Sequence, residues 1–489
     1  MIKDKLANIA TILTIFCVAR ADVAHAQTFV YGSLYGTAGR SPNAGSGSVQ
    51  GLDGNLYGTL PLGGGGDGLA SGTVYKLTPT GEFTALYAFC FPYQLYCPDG
   101  QQPSTLVMGM GGNFYGTTQN GGIYQAGTAF KITPGGQFTT LYTFCSKPPG
   151  CKDGAYPLGT LVQGRDGSLY GTASQGGAVR QGILFKITPA GHPVRLYDFC
   201  SQPNCADGSG PAAGLVLGND GNFYGTTQFG GKNSGGTVFK VTPTGQLTTL
   251  YSFCSRNDCE DGYVPAAPLV QGTDGNLYGT TQLGGTNDRG TAFQLDLNGV
   301  LTILHNFCSD CAGDGAYPSA LIQANDGNLY GVTSADAYDW GSIFQITPDG
   351  SFTLLHEFCP GQQNFCAEGQ WPASQLTQST DASFYGGASA GGNPTPACGG
   401  ATCGTIFRLS TGLPPFIRPN PVFGKAGQTI NILGSNLTGA TRVTFNGVSA
   451  SFEATDIKAE VPAAATTGTL RVTTPGGTLS TDVAFQVLP

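Results

Sequence analysis

Charge is scarce in this 489-residue chain, at 11% Asp, Glu, Lys and Arg against about 25% in an ordinary soluble domain. A disordered chain combines high net charge with few aromatics, and the 10% aromatic content here excludes that class. The Leu, Glu and Lys heptads of a coiled coil are missing. So is the glycine at every third position that collagen requires. Past the N-terminus, no apolar run is long enough to span a membrane as a helix. Among catalytic strings there is no His-Glu-x-x-His and no phosphate-loop Gly-Lys-Ser/Thr, and no EF-hand Asp-x-Asp-x-Asp occurs.

What is present in excess is glycine, 78 residues or about 16%, against roughly 7% usually. Between the glycines lie short apolar runs, which describes a turn-rich β-protein. Residues 1–26 read as a secretory signal. Lys3 and Lys5 precede an apolar stretch from Ile9 to Ala19, and Ala24-His25-Ala26 gives a small-x-small cleavage pattern. The expected location is therefore secreted, at the cell surface or in the periplasm. The net charge is −8, and residues 27–414 alone carry −10. An acidic surface cannot neutralise phosphates, so nucleic acid is excluded as a partner. No polybasic patch offers itself to an anionic membrane.

The dominant signal is a repeat of about 55 residues. The Tyr of a recurring Leu/Phe-Tyr-Gly falls at Tyr57, Tyr115, Tyr170, Tyr224, Tyr278, Tyr330 and Tyr385. Residues 211–253 show one full unit. Gly214–Leu217 is strand A, Phe223–Thr227 strand B, Gly236–Thr242 strand C and Leu247–Phe253 strand D. Asp220-Gly221 suits a tight A–B hairpin, and Pro243-Thr244-Gly245 a C–D turn. Four-stranded units in tandem predict an all-β fold, a seven-bladed β-propeller over residues 27–413. Strand D follows strand C only six times. Thr28-Phe29-Val30-Tyr31-Gly32 supplies the seventh from the other end of the chain and would close the ring. An open solenoid is the alternative, and it leaves that N-terminal strand without a reason.

Beyond Cys17 in the signal, the cysteines form seven close pairs. These are Cys90 and Cys97, Cys145 and Cys151, Cys200 and Cys205, Cys254 and Cys259, Cys308 and Cys311, Cys359 and Cys366, and Cys398 and Cys403. Six follow strand D, and the last lies in a B–C loop. In an exported protein they read as local disulfides. Zinc is the rival reading, opposed by the varying spacing and by the lack of histidine partners.

Strand parity puts A–B and C–D turns on one face, and the long B–C and D–A loops on the other. The second face and the channel mouth are the expected site, since rigid scaffolds display function on such loops. Asp99, Asp153, Asp207, Asp261 and Asp314, with Glu368 in the sixth loop, place a carboxylate after each of the six Cys pairs that follow strand D. They could form a ligand or cation face, with calcium as the candidate ion, or simply serve turn chemistry. Asp53, Asp166, Asp220, Asp274 and Asp326 belong to the A–B turns. His305 and His356 occupy the slot of Tyr87, Tyr142, Tyr197 and Tyr251 and read as variants of the repeat. No catalytic set, no resident metal and no organic cofactor is expected.

Pro414, Pro415, Pro419 and Pro421 mark residues 414–421 as a stiff linker. Residues 422–489 then carry short alternating strands that predict a small immunoglobulin-like β-sandwich. Gly427 to Leu437, Val443-Thr444-Phe445-Asn446-Gly447 and Val461-Pro462 resemble the IPT/TIG domain. Upstream, Asp274-Gly275-Asn276-Leu277-Tyr278-Gly279-Thr280-Thr281, Gly127-Thr128-Ala129-Phe130-Lys131-Ile132-Thr133-Pro134 and Leu141-Tyr142-Thr143-Phe144 resemble the tandem repeat of bacterial choice-of-anchor GloVer-containing proteins, over about residues 50–410. That resemblance implies an exported bacterial protein of unknown biochemical role, and supplies no catalytic residues.

The leading expectation is a non-enzymatic extracellular binding or adhesion protein, with a glycan or cell-envelope polymer as ligand and the tail as spacer. Two alternatives stand beside it. One is a carbohydrate-active hydrolase or lyase using acid pairs at the channel mouth, and the other a structural surface component.

Overall fold

The computed structural model describes residues 32–33, 47–62, 71–91, 96–147, 150–308, 314–335, 340–359, 366–392, 404–453 and 457–489. The expected signal (1–26) and residues 28–31 of the expected N-terminal strand lie outside them.

The fourth unit shows how sequence makes a sheet. Its strands are Val216–Leu217, Phe223–Thr227, Thr237–Val241 and Leu247–Ser252, all antiparallel and in chain order. In the A–B turn, Gly218 N–H donates to Asn222 O at 2.8 Å, and Gly221 takes φ +81°, which favours glycine. Asp220 holds this turn. Its carboxylate accepts from the Asn222 backbone N–H (3.0 Å), the Tyr224 hydroxyl (2.9 Å) and Lys240 Nζ (2.8 Å). Burial alone would raise this carboxyl, but Lys240 and the other donors pull it down to about 2. Asp53, Asp166, Asp274 and Asp326 bond the strand-B Tyr of their own units in the same way.

Six further sheets repeat this plan, giving seven of four or five strands each among residues 32–409. The all-β, propeller-like architecture predicted from the repeat is what the chain adopts. Strand A is shorter than expected. In the fourth unit only Val216–Leu217 pairs with strand B, because Ala212 to Gly214 leave the ladder to line a cavity.

The strands are apolar on both faces because each sheet packs against two others. Strand B of the fourth unit is buried at all five positions. Tyr170, Leu184, Phe199, Leu215, Phe223 and Phe239 form one cluster between the third and fourth sheets. Tyr170 lies over Phe223 with ring centroids 4.1 Å apart, and Phe199 meets Phe239 at 5.2 Å. Burying each such ring contributes about 1.5–3 kcal/mol. The glycine after each strand-B Tyr makes room for these rings. A Cβ on Gly225 would lie 2.7 Å from the Phe239 ring and 2.8 Å from Leu215.

A second device links neighbouring sheets at their A–B turns. The side-chain oxygen of Gln271, at the end of a strand A, accepts the Asn219 N–H from the preceding unit's A–B turn at 2.8 Å. Gln163, Gln323 and Gln378 do the same for Met110, Thr273 and Asn325. Gln50 of the first sheet accepts the Thr380 N–H of the last sheet at 3.0 Å. The first and last sheets also share the apolar cluster of Leu56, Tyr75, Leu77, Tyr385 and Ile406. Gly32–Ser33 forms the outer strand of the last sheet, with Gly32 opposite Ile406 and Ser33 opposite Thr405.

Beyond residue 416 a second core begins. One sheet orders Ile417–Asn420, Thr429–Gly434, Lys458–Glu460 and Phe452–Glu453. The other orders Val448–Ser449, Arg442–Phe445, Leu470–Thr474 and Gly477–Ser480. Ile430, Val443, Phe445, Leu470, Val472 and Phe485 fill the space between them. Within residues 414–421, expected to form a linker, Ile417–Asn420 is a strand and Ile417 is fully buried in this core. Pro419 is tolerated because its strand is at the edge of the sheet, where a missing N–H breaks no ladder.

This tail is docked on the A–B turns. Asn420 Nδ2 donates to Gly109 O (3.1 Å), Arg418 to Gln378 O (3.2 Å), and Asn325 Nδ2 to Pro414 O (2.6 Å). Gln486 bonds both Arg165 and Asn219, and Arg165 also lies over the Phe423 ring at 5.9 Å. Thr380 O accepts the Phe416 N–H at 3.1 Å. Residues at the A–B hairpins of the second, third, fourth, sixth and seventh units thus meet one small domain.

Candidate functional site

The long-loop face is built from the disulfide loops upward. After strand D of the third unit (Pro193–Asp198), the Cys200–Cys205 disulfide closes a short loop. Buried Asp207 follows. Its Oδ2 accepts from the Tyr197 hydroxyl at 2.8 Å, and from the Ser201 N–H and hydroxyl at 2.9 Å each. Asp261 repeats this with Tyr251 and Ser255, and Asp153 with Tyr142 and Ser146. Asp99 accepts from the Tyr87 hydroxyl and the Cys90 N–H, both at 2.9 Å. His305 Nε2 lies 2.6 Å from Asp314, and His356 Nε2 lies 2.9 Å from Glu368.

Burial would raise the Asp153 and Asp261 carboxyls. The hydrogen bonds from Ser146 and Tyr142, and from Ser255 and Tyr251, outweigh it and hold both below the ordinary value. Burial also lowers the His356 imidazole, against the pull of Glu368. The six acids therefore stand one per loop, each engaged by its own strand D, and the fold does not bring them together. Among the described residues no three His, Cys, Asp or Glu are grouped as a metal site requires.

Five of the expected disulfides are formed: Cys90–Cys97, Cys145–Cys151, Cys200–Cys205, Cys254–Cys259 and Cys359–Cys366. Cys308 is buried, while Cys311, Cys398 and Cys403 lie outside the described residues.

The loops that lead into strand A surround one cavity of about 290 Å³, lined from all seven sheets. Its lining includes Pro61, Gln102, Gly159, Ala213, Ala267, Tyr317 and Gln375, and among the described residues no Asp, Glu, Lys, Arg or His. Gln119, Gln228 and Gln282, each four residues after a strand-B Tyr, also line it. No side-chain hydrogen bond among the described residues engages these three amides. Its described lining offers donors and acceptors, but no charged group.

Its rim carries a feature the sequence did not announce. Gln102, Tyr156, Val264, Tyr317 and Trp371, each just before a Pro, adopt φ between +54° and +56°. Gly210 occupies the same place in the fourth unit at φ +62°. Side chains other than Gly, Asn and Asp rarely go there, and such backbone costs about 1–3 kcal/mol per residue. A main-chain bond from each of these N–H groups to the preceding B–C loop secures it. Val264 N–H reaches Gly235 O (3.0 Å), Tyr317 N–H reaches Arg289 O (3.0 Å), and Trp371 N–H reaches Trp340 O (2.9 Å). The only sequence signal is the recurrent Pro three residues after the Gly of each Asp-Gly or Glu-Gly.

Large exposed aromatics concentrate on the same side. Phe91, Tyr96, Tyr124, Phe229 and Tyr317 are the exposed aromatics among the described residues, and all lie in B–C or D–A loops.

Among solved structures, the chain is similar to the extracellular domain of a protein described as a hybrid two-component system from B. thetaiotaomicron. The identity is 13% and the TM-score 0.49, over 92% of this chain and 53% of that one. This chain thus spans about half the length of that relative. A protein described as a 6-phosphogluconolactonase from Bacteroides uniformis is 16% identical, with a TM-score of 0.42 over 66% of this chain and 86% of its own. At these values neither similarity speaks to activity. No curated protein matches the chain. Among the described residues no helix is long and apolar enough to cross a membrane. A family model does match, in overlapping stretches over residues 14–217, 150–336 and 198–393, and on that ground the chain belongs to the Gloeobacter/Verrucomicrobia repeat family.

Proposed function

We propose that this is an exported, non-enzymatic binding protein whose ligand face is the long-loop mouth of a closed seven-bladed propeller. The seven sheets are its blades, and the N-terminal strand completes the last one. The Gly32–Ser33 pairing, the Gln50–Thr380 bond and the cavity lined from all seven sheets support closure. The signal-like N-terminus and the paired cysteines support an oxidising, extracytoplasmic location. Residues 417–489 act as an IPT/TIG-like cap on the short-turn face rather than as a free spacer.

One observation carries this reading: the exposed aromatics among the described residues all lie in the long loops, the side on which the cavity's described lining carries no charge. Such a face suits a glycan or an uncharged cell-envelope polymer, which offers apolar ring faces and many hydroxyls. An acid-pair hydrolase would need carboxylates at the mouth, and the described lining has none. The six loop acids serve in this reading as clasps that hold the face.

The test is a glycan and envelope-fraction array probed with the full mature chain. Binding to at least one class, weakened by Tyr317→Ala, is expected. A chain that is folded by circular dichroism yet binds nothing on the array would sink the proposal.

A further inference from the structure

Two aromatic clusters at the mouth stand apart from the rest of the rim. Trp340 ends the B–C loop of the sixth unit, and Trp371 sits in the next rim loop, within strand Gln370–Pro372. Their ring centroids are 6.2 Å apart with an interplanar angle of 39°, and both rings are partly exposed. One unit back, the Arg289 guanidinium lies 5.8 Å from the centre of the Tyr317 ring. The same backbone position holds Tyr317 and Trp371, and both are fixed in the left-handed conformation. Ser334 links the two clusters to the cavity. It lines the cavity, its hydroxyl donates to Tyr317 O at 3.3 Å, and it belongs to the strand Leu329–Ala335 that contacts Gln370–Pro372.

From this geometry we infer that Trp340, Trp371 and Tyr317 form a stacking platform for the sugar rings of a neutral polysaccharide. The inference rests on the ligand face proposed above and narrows it to one sector and one chemical class. Aromatic rings held rigidly by main-chain bonds lose little freedom on binding, which favours their use as platforms. The unengaged amides of Gln228 and Gln282 in the adjoining cavity both donate and accept, as sugar hydroxyls require. Charge selects against acidic polymers. The described cavity lining is uncharged, and residues 27–414 carry a net −10 against the single Arg289 at Tyr317, so a polyuronate would be repelled overall.

The protein holds only two tryptophans, and both are in this platform, so intrinsic Trp emission reports on it alone. The experiment titrates the full mature chain with cellohexaose, laminarihexaose, maltohexaose and chitohexaose, with polygalacturonate as the acidic probe. Emission and calorimetric affinity are read together. At least one neutral hexasaccharide should shift the emission saturably, while polygalacturonate should not. Trp371→Ala should weaken that affinity tenfold or more, and Trp371→Tyr should retain most of it. The Tyr variant separates loss of stacking from loss of fold. A hexasaccharide that binds by calorimetry without moving the emission, or binds Trp371→Ala unchanged, overturns the platform and leaves the binding face standing. Preference for polygalacturonate overturns the neutral class. If no glycan or envelope fraction binds at all, both readings fall.

Discussion

The Gln50 side-chain oxygen accepts the backbone N–H of Thr380, a residue 330 positions away, at 3.0 Å. Its side-chain nitrogen donates to the Thr380 hydroxyl at 3.2 Å, and Gln50 is only 5% exposed. Four other sheet junctions use the same Gln, but the Gln271–Asn219 bond is open to solvent, where water can replace it. Gln50→Met, the residue type found at this position in the second unit, should therefore destabilise by about 1–3 kcal/mol, because Thr380 N–H is left buried and unpaired. Gln271→Met should cost less. Chemical unfolding of both variants decides it, and equal midpoints would argue that the first and last sheets do not need each other.

The acid clasps predict an acid limb of stability. Asp153, Asp220 and Asp261 all titrate below their ordinary 3.8 in the folded state. A depressed carboxyl contributes stability that is complete above the unfolded value and is lost as pH falls through the folded one. Urea midpoints should be flat from about pH 7 to 5, and should fall between about pH 4 and 2. Asp261→Asn should lower the pH 7 midpoint and make the acid limb shallower. A steeper limb in that variant would contradict the clasp.

Gly225→Ala should cost about 1–3 kcal/mol, since its Cβ meets the Phe239 ring and Leu215 at once. Phe239→Leu removes the ring that occupies that space. The double variant should be more stable than the two single losses added together, by about 0.5 kcal/mol or more. Strict additivity would mean that glycine serves the backbone there and not the ring.

Non-reducing peptide mapping should recover the five local disulfides, with no long-range pairs among those ten cysteines. Replacing Cys200 and Cys205 together by Ser should lower stability by about 2 kcal/mol, the closure entropy of so short a loop. Because Asp207 still ties that loop to Tyr197, array binding should survive. Loss of binding at unchanged stability would assign this loop a contact role.

Much of the sheet pattern could be read directly. Phe223–Thr227 and the Asp220-Gly221 turn stand where periodicity and turn chemistry put them, because both signals are local. The link between sheets could not be read, since Gln50 and Thr380 look like ordinary polar residues until the fold places them together. The rim failed differently. Val264 and Trp371 sit in backbone that sequence rules reserve for glycine, so no local preference could reveal them. The loop acids were visible as residues, but only the structure turns each toward its own Tyr or His. The strand Ile417–Asn420 was hidden by its proline, which reads as a linker unless an edge position is foreseen.

The tail's seat on the A–B turns has a consequence for any polymer. In the closed propeller proposed above, the central channel would be a tube with two mouths. A tail bonded to hairpins on the short-turn side would stop one of them and make the tube a cup. A chain cannot be threaded through a cup. It can lie across the lip or lower one end inside, so the protein would grip its ligand sideways or by the tip and let go without sliding along it.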